Sequence, residues 1–310
     1  MLDHPPHRLP LPATLAAFTV MVAAAVLGGC TATPDPTTLP MYAGTSETAD
    51  RLAWNDLVER AIDAEVVVIG EEHDDAVTHA LQATLVADVM ALDPRTAVSL
   101  EMLERHEQGI VDAWLADEIA TADLVERTGS RSWFDWAGFY QPVLDAAKSA
   151  DCVVVAANAP RQYVSRARTE GYDALRALPE DERVLFDLPE NLDQGRYWLR
   201  FRDTMRGFRG DDASDEEIRR TFRSQLVWDA TMAASIANAL DRDDVDRVIH
   251  LVGRFHSDHE GGTIRELRRL RPDVRILTIT GVGEGDGLEL LEDDRGRADV
   301  VVYTGSKMGE

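Results

Sequence analysis

The sequence contains little cysteine and none of the short motifs that identify the commonest enzyme classes. Cys30 and Cys152 are its only two cysteines, so a framework of several disulfides is excluded. The Gly-x-Gly-x-x-Gly fingerprint, the P-loop, the Gly-x-Ser-x-Gly elbow and the His-Glu-x-x-His zinc motif are all missing. Cys-x-x-Cys-His, which attaches c-type haem covalently, is missing as well. The sequence therefore does not indicate a dinucleotide enzyme, a P-loop NTPase, a serine hydrolase, a zincin or a c-type cytochrome.

Positive charge is also scarce. Lys and Arg total 32 against 56 Asp and Glu, which gives a formal net charge of −24. Such a field repels phosphate backbones, so nucleic acid is not a predicted partner. With 45% hydrophobic residues in 310, the chain can bury a large core and is globular. We interpret Cys152, which precedes a run of three valines, as a small buried hydrophobe.

Long apolar runs are absent except near the N-terminus, where residues 13–27 are apolar but too few for a comfortable membrane span. This run ends in Leu27-Gly28-Gly29-Cys30, which looks like a bacterial lipobox. The prediction is a signal peptide over residues 1–29 and acylation of Cys30, which would anchor the protein in a membrane by lipid chains. An ordinary signal peptide or an uncleaved anchor is the alternative. Because Thr31 rather than Asp follows the cysteine, we expect the outer membrane or periplasmic side rather than the inner membrane.

Beyond the leader, residues 30–45 are rich in Pro and Thr without periodicity, which predicts a flexible tether. Residues 46–310 alternate apolar runs with amphipathic segments. This alternation predicts one α/β domain, a mainly parallel sheet flanked by helices, with a helical insertion over about residues 161–245. The predicted strands cover residues 66–69, 96–100, 153–157, 248–252, 274–280 and 299–303.

Polar residues follow four of these strands. They are Glu71 and His73; Glu101; Asn158 and Arg161; and Arg254, His256 and His259. The carboxyl ends of parallel strands meet at one edge of the sheet, where α/β proteins bind ligands. Imidazoles and carboxylates together suit a divalent metal, a haem group or an acid/base pair. A single histidine after a strand has a structural role more often than a functional one, but agreement among four strands favours function.

The stretch of residues 132–140 is the most aromatic in the chain. Its members Trp133, Trp136 and Phe139 are core or lid residues, or else a wall for a flat ligand. Tyr140 is either an axial haem ligand or a buried tyrosine bonded to a carboxylate. A local basic island either holds carboxylates such as haem propionates or pairs with Asp211 and Asp212. Its members are Arg196, Arg200, Arg202, Arg206 and Arg209.

The run Ile69-Gly70-Glu71-Glu72-His73-Asp74-Asp75, followed by His79 and Gln82, resembles the opening motif of the ChaN-like haem-binding uptake family. This family lies within the Tiki/erythromycin-esterase/ChaN superfamily. Further motifs occur in the family's order and extend the resemblance over roughly residues 46–280. They are residues 100–102, 140–142, 157–161, 225–229 and 253–259.

The resemblance implies a pocket at the strand ends, formed by Glu71, His73, Glu101 and His256. It favours a membrane-anchored lipoprotein that binds haem or iron, with a homodimer as a further expectation. The residues expected to contact haem are His73, His79, Tyr140, Asn158, Arg161, Arg254, His256 and His259.

The superfamily implies a second possibility, a metal-dependent hydrolase or protease. Glu71, His73 and His256 would then gather a divalent metal ion and Glu101 would activate its water. A purely structural lipoprotein would leave the four polar strand ends unexplained.

Overall fold

A computed structural model describes residues 33–45, 48–192, 195–210 and 213–306, apart from the side chain of Arg209. The predicted signal peptide, Cys30, Asp211 and Asp212 lie outside these residues. No helix in the described part of the chain is both long enough and apolar enough to cross a membrane.

Over the described residues, eight strands form one sheet. Their bounds are β1 Met41–Ala43, β2 Arg51–Leu52, β3 Val66–Glu71, β4 Thr96–Glu104, β5 Val154–Asn158, β6 Arg247–Gly253, β7 Ile276–Val282 and β8 Val300–Tyr303.

Twelve α-helices flank the sheet within the same ranges. Their bounds are α1 Trp54–Asp63, α2 Ala76–Leu92, α3 Gln108–Leu115, α4 Thr121–Arg127, α5 Trp136–Phe139, α6 Gln141–Ser149, α7 Arg161–Glu170, α8 Tyr172–Arg176, α9 Glu180–Arg183, α10 Arg196–Arg209, α11 Asp215–Ala239 and α12 Gly262–Leu270.

The sheet is mainly parallel, which confirms the predicted fold class. Its strand order is β2-β1-β8-β7-β3-β6-β4-β5, and only β1 pairs antiparallel, with β2 and β8. Strand β3 lies between β7 and β6, and Val66 is in register with Val248 and Ile276. Strands β3, β4, β5 and β6 therefore all end at the same edge of the sheet, and the residues that follow them are neighbours there.

The unbroken β-branched run in β3 is explained by burial on both faces. Val67 and Ile69 pack into the core on the side of α1 and α2. Val66 and Val68 pack on the other side, against α11 and α12. Because helices cover both faces of the strand, polar side chains are accommodated at its end rather than along its length.

The structure corrects one sequence prediction near the start of the domain. Residues 30–45 were predicted to be a tether, but Met41–Ala43 form a buried strand paired with β8. Strand β8 is therefore internal to the sheet, between β1 and β7. The local sequence of β1 is too short to show this, because its stability depends on hydrogen bonds to residues about 260 positions away.

Strand β5 is one true edge of the sheet, and a side chain protects it. The Gln108 amide donates from Nε2 to the Val154 carbonyl at 2.8 Å, and its Oε1 accepts from the Ala156 N–H at 2.8 Å. These are the two groups that one residue of a parallel neighbouring strand would bond. Gln108 thus takes the place of a strand and blocks further pairing at this edge.

Replacing Gln108 by Glu tests this arrangement. The carboxylate keeps the size of the side chain but cannot donate to the Val154 carbonyl, so we expect the free energy of unfolding to fall by about 1–3 kcal/mol. Urea denaturation at pH 7 measures the change. The same substitution at exposed Gln162 on α7 is the control, with an expected effect within about 0.5 kcal/mol. Equal stability of the two variants would contradict the assignment.

Candidate functional site

The site is built on Glu71, the last residue of β3, whose side chain is buried. One carboxylate oxygen accepts from the Tyr140 hydroxyl at 2.7 Å and from His73 Nδ1 at 2.9 Å. The other accepts from Gln82 Nε2 at 2.5 Å. Burial by itself raises the pKa of Glu71. The hydrogen bond from His73 and the nearby charges of His79 and His73 lower the pKa by more than burial raises it. The net pKa lies below its usual value, so Glu71 is an anion at neutral pH.

His73 is the accessible member of this pair, with 44% of its side chain exposed. Because a carboxylate oxygen can only accept, Nδ1 donates to Glu71, and the lone pair of the neutral ring is then on Nε2. Burial lowers the pKa of His73, but the hydrogen bond to Glu71 and the charges of Glu101 and Glu71 raise it above the usual value. The edge of the ring meets Trp133, with 5.0 Å between centroids.

His79 supports this pair from behind. Helix α2 begins after Asp75, whose carboxylate accepts two N–H groups of the first turn. This start places His79 and Gln82 on the face toward Glu71. His79 Nδ1 lies 2.9 Å from Gln82 Oε1, and the buried ring stacks on Phe139 at 4.1 Å. His79 was predicted to contact the ligand. Its side chain is buried, however, and it contacts Gln82 and Phe139 instead.

Glu101 reaches the same place from β4. Its Oε2 accepts the Gly253 N–H at 2.6 Å. A Cβ on Gly253 would lie 3.0 Å from His73 Nε2 and 3.5 Å from Glu101 Oε2, so both side chains approach this glycine closely. The absence of a side chain at Gly253 is what allows His73 and Glu101 to lie together. No pattern in the sequence identifies this role of Gly253.

A second carboxylate–imidazole pair lies deeper in the protein. His256 Nδ1 lies 2.7 Å from Asp229 Oδ1, while His256 Nε2 is 3.7 Å from Glu101 Oε1. Asp229 also accepts from the Tyr197 and Thr263 hydroxyls. Burial lowers the pKa of His256, but the charges of Asp229 and Glu101 outweigh it, so the pKa is raised. The structure thus places His73 and His256 on either side of Glu101, as the strand-end argument predicted.

The two residues predicted at the end of β5 lie at the margin of this group. Asn158 donates to the Glu101 backbone carbonyl at 2.9 Å and so holds the end of β4. The Arg161 side chain is exposed and lies 3.9 Å from Glu104. Asn158 therefore positions Glu101, and Arg161 is available to solvent at the rim.

Two other residues predicted to contact the ligand have partners of their own. Arg254 pairs with Glu72 at 2.5 Å. The backbone of His259 is left-handed, and its N–H donates to the Arg297 carbonyl at 2.7 Å, so this histidine lies beside the turn at residues 294–297. His259 is not among the side chains that contact Glu71, His73 or Glu101 in the described structure.

The sequence left two roles open for Tyr140, an axial haem ligand or a buried tyrosine bonded to a carboxylate. In the structure Tyr140 has the second of these environments. Its side chain is fully buried, and its hydroxyl donates to Glu71. Burial, together with the charge of Glu71, raises the pKa of its phenol far above the usual value. All six tyrosines of the chain are buried, namely Tyr42, Tyr140, Tyr163, Tyr172, Tyr197 and Tyr303. In this structure Tyr140 contacts Glu71 and not solvent, and its predicted role as a haem ligand stays a prediction.

Several arginines of the basic island have partners elsewhere in the domain. The Arg200 guanidinium lies over the rings of Phe255 and Tyr197 and donates to backbone carbonyls. Arg206 pairs with Asp215 at 2.9 Å, and the aspartates that the sequence suggested as partners lie outside the described residues. The contacts of these arginines attach α10 to the rest of the domain.

The predicted divalent metal site is not supported. In the part of the chain that the structure describes, no group of three or more His, Cys, Asp or Glu side chains is placed to hold a metal ion. The oxygens of Glu71 already accept three hydrogen bonds, and His256 Nδ1 is bonded to Asp229. The metal-dependent hydrolase is accordingly not favoured.

The accessible part of the site is the His73 side chain, of which 44% is exposed. Two cavities of about 650 and 420 Å³ lie elsewhere, and neither lining includes Glu71, His73, Glu101 or His256. The ring of Trp133 lies beside His73 and is partly exposed. Phe134, which is 65% exposed, contacts Phe139, whose ring stacks on His79.

Fold and site together define an α/β protein with a buried cluster of carboxylates and imidazoles at the carboxyl edge of its sheet. The sequence matches a family model described as "Haem-binding uptake, Tiki superfamily, ChaN" over residues 57–267. The chain belongs to this family.

Comparison with solved structures agrees with the fold. "Cofacial heme binding to ChaN of Campylobacter jejuni" superposes with a TM-score of 0.63 at 17% identity, covering 84% of this chain and 96% of that one. The type III effector HopBA1 gives a TM-score of 0.49 at 14% identity, covering 80% and 90% of the two chains. A search of curated protein sequences gives no significant match.

The pairing of His256 with Asp229 predicts a specific pH dependence for Asp229→Asn. A histidine whose folded pKa is raised stabilises the fold below its unfolded pKa, and this stabilisation is lost as pH rises through the folded pKa. We therefore expect Asp229→Asn to have a lower unfolding free energy than the wild type. The difference should be largest near pH 6, just below the ordinary histidine pKa of about 6.5, and should decrease toward pH 9. Urea denaturation across this range measures it.

The control is the same substitution in a His256→Asn background. Without the imidazole, the loss of the Tyr197 and Thr263 hydrogen bonds remains, but its cost is independent of pH over this range. A deficit that shrinks equally in both backgrounds would show that His256 is not the titrating partner.

Proposed function

We propose that this protein is a membrane-anchored haem-binding lipoprotein that holds haem at the carboxyl ends of the sheet strands. One observation supports this more than any other: a half-exposed imidazole, His73, is oriented by a buried anion in a chain that belongs to a haem-binding family. Of the site residues predicted from sequence, His73 is the proposed ligand, and Glu71, Glu101 and Arg161 belong to its surroundings.

His73 is the proposed iron ligand. Histidine that binds iron or another metal commonly donates its second ring N–H to a carboxylate, which fixes the tautomer and increases the basicity of the ligating nitrogen. Glu71 accepts that hydrogen bond from His73 Nδ1, and Nε2 has no hydrogen-bond partner among the described contacts. His256 is buried and its Nδ1 is already bonded to Asp229, so it is a poorer candidate.

The surface beside His73 suits a flat apolar ring. The rings of Trp133 and His73 meet edge to face, and Phe134, which is exposed, packs on Phe139 in the same aromatic segment. Aromatic stacking of this kind contributes about 0.5–1.5 kcal/mol per pair beyond burial of area. The exposed Arg161 at the rim is available for a carboxylate such as a haem propionate.

Titration of the mature protein with haemin tests the proposal. We expect a saturable Soret change, and His73→Ala should weaken binding at least about tenfold, equivalent to 1.4 kcal/mol, because the axial bond is lost. His106→Ala is the matched control, since His106 is also about half-exposed and lies near a glutamate. Tyr140→Phe should retain the Soret change, since the phenol is buried.

Equal loss in His73→Ala and His106→Ala would contradict the assignment of the ligand, and no Soret change in the wild type would contradict haem binding. The same samples, studied by sedimentation velocity with and without haemin, test the homodimer that the family resemblance suggests.

The lipid anchor is proposed from the sequence motif at Cys30. We expect the full-length protein, expressed in a bacterium, to partition with membranes, and Cys30→Ser to abolish acylation and release the protein into the soluble fraction. Membrane fractionation with mass spectrometry of the N-terminal peptide measures both. Outer-membrane fractions should contain most of the acylated protein. Cys152→Ser is the control, because Cys152 is buried in the domain. Unmodified Cys30 in the mature protein would contradict the anchor.

A further inference from the structure

The chain enters the folded domain at the carboxyl edge of the sheet, the edge at which Glu71 and His73 lie. We propose that this edge, with the apolar side chains exposed on it, rests on the surface of the membrane in which the protein is anchored. The inference rests on the proposed lipid anchor and names the surface of the domain that meets the bilayer.

The first step is the direction of β1. This strand pairs antiparallel with β8, and Met41, its first residue, lies opposite Val302 near the end of β8. Strand β8 is parallel to β7, which is parallel to β3. The Pro40 carbonyl accepts the Tyr303 N–H at 3.0 Å, where β8 ends. The start of β1 therefore lies at the same edge as the end of β3.

The second step places this entry point beside the loop that contains His73. Thr304, directly after β8, donates from its hydroxyl to the buried Asp75 carboxylate at 2.7 Å. Asp75 caps the start of α2, two positions after His73. The short 3-10 turn Pro36–Thr38 packs on α2 as well. The beginning of the domain and the loop of His73 are thus held against the same helix.

The third step is the length of chain between Cys30 and the domain. Asp35 accepts the Thr37 N–H at 3.0 Å and so belongs to the turn that packs on α2. It follows Cys30 by five residues, which span at most about 18 Å. A compact domain of this length is about 50 Å across. An anchor at Cys30 therefore cannot turn the amino edge of the sheet to the bilayer, because the domain itself would separate Asp35 from the lipid.

Exposed apolar side chains on the carboxyl edge decide which part of it meets the lipid. Leu288 is 78% exposed, and a Cβ on its neighbour Gly287 would lie 2.5 Å from the ring of Pro40, so Leu288 is beside the entry point. Phe134 is 65% exposed and packs on Phe139, which stacks on the first two turns of α2. Contact of this edge with the bilayer removes both side chains from water, which is favourable in proportion to their apolar area.

The charge of the edge specifies the kind of lipid. Asp74, Glu284, Asp286 and Glu289 are exposed on its loops. Anionic headgroups repel such carboxylates at short range, and salt screens the repulsion. The proposed partner is accordingly a zwitterionic lipid surface. The covalent anchor and apolar contact, rather than charge attraction, keep the domain on it.

Quenching by nitroxide groups on lipid headgroups tests the orientation. Leu288→Cys, Phe134→Cys and Leu92→Cys are each made in the full-length acylated protein with Cys152→Ser, labelled with a fluorophore and reconstituted into phosphatidylcholine vesicles. Leu92 is the matched control, a leucine that is 66% exposed at the other end of α2. The 17 residues of this helix place it about 25 Å from the carboxyl edge. We expect the labels at 288 and 134 to lose most of their fluorescence and the label at 92 to retain it.

A change of lipid tests the role of the acidic loops. Replacement of part of the phosphatidylcholine by phosphatidylglycerol should reduce the quenching at position 288, and added salt should restore it. Quenching that stays the same or increases with phosphatidylglycerol would contradict the acidic edge as the surface that meets the bilayer.

Mass spectrometry of the same samples separates failure of the anchor from failure of the orientation. If Cys30 is not acylated, the proposed lipid anchor is wrong. If Cys30 is acylated and the three labels are quenched equally, or position 92 is quenched most, the anchor stands and the orientation is wrong. Since all three positions are exposed, the substitutions are expected to leave the fold intact.

Discussion

The hydrogen bond between buried Glu71 and half-exposed His73 is the interaction on which the proposed site depends. A carboxylate in the interior is costly unless donors surround it, and three donors meet this requirement here. Two of them, Tyr140 and Gln82, come from beyond the strand that contains Glu71. The aromatic segment and the first helix after β3 are therefore required for the charge that orients His73, even though neither His79 nor Tyr140 is accessible to a ligand.

The two imidazoles of the cluster differ mainly in burial. His73 and His256 each have a carboxylate on Nδ1, at 2.9 and 2.7 Å. Only His73 has a ring that solvent and a large ligand can reach, whereas His256 is enclosed beneath α11 and α12. The same chemical pair thus occurs once at an accessible position, where His73 is the proposed ligand, and once in the interior. Exposure, rather than residue type, separates the two roles.

The sequence was sufficient for the features that depend on short-range pattern. The β-branched run at residues 66–69 predicted a strand buried on both faces, and parallel strands necessarily bring Glu71, Glu101 and His256 to one edge. It was insufficient where the outcome depends on distant partners. Strand β1 forms because β8 is available to it, and Tyr140 is internal because Glu71 needs a donor. Gly253 escaped notice because its role is to provide space, which has no pattern in a single sequence.

Electrostatics also limits how an acidic protein can hold haem. The net charge of −24 opposes the negative propionates, and most arginines of the basic island are occupied by Asp215, Asp203 or backbone carbonyls. Long-range attraction is therefore not available to draw the ligand in. In the proposed site, affinity for haem has to come from short-range interactions, namely a bond from His73 to the iron and contact with the ring of Trp133.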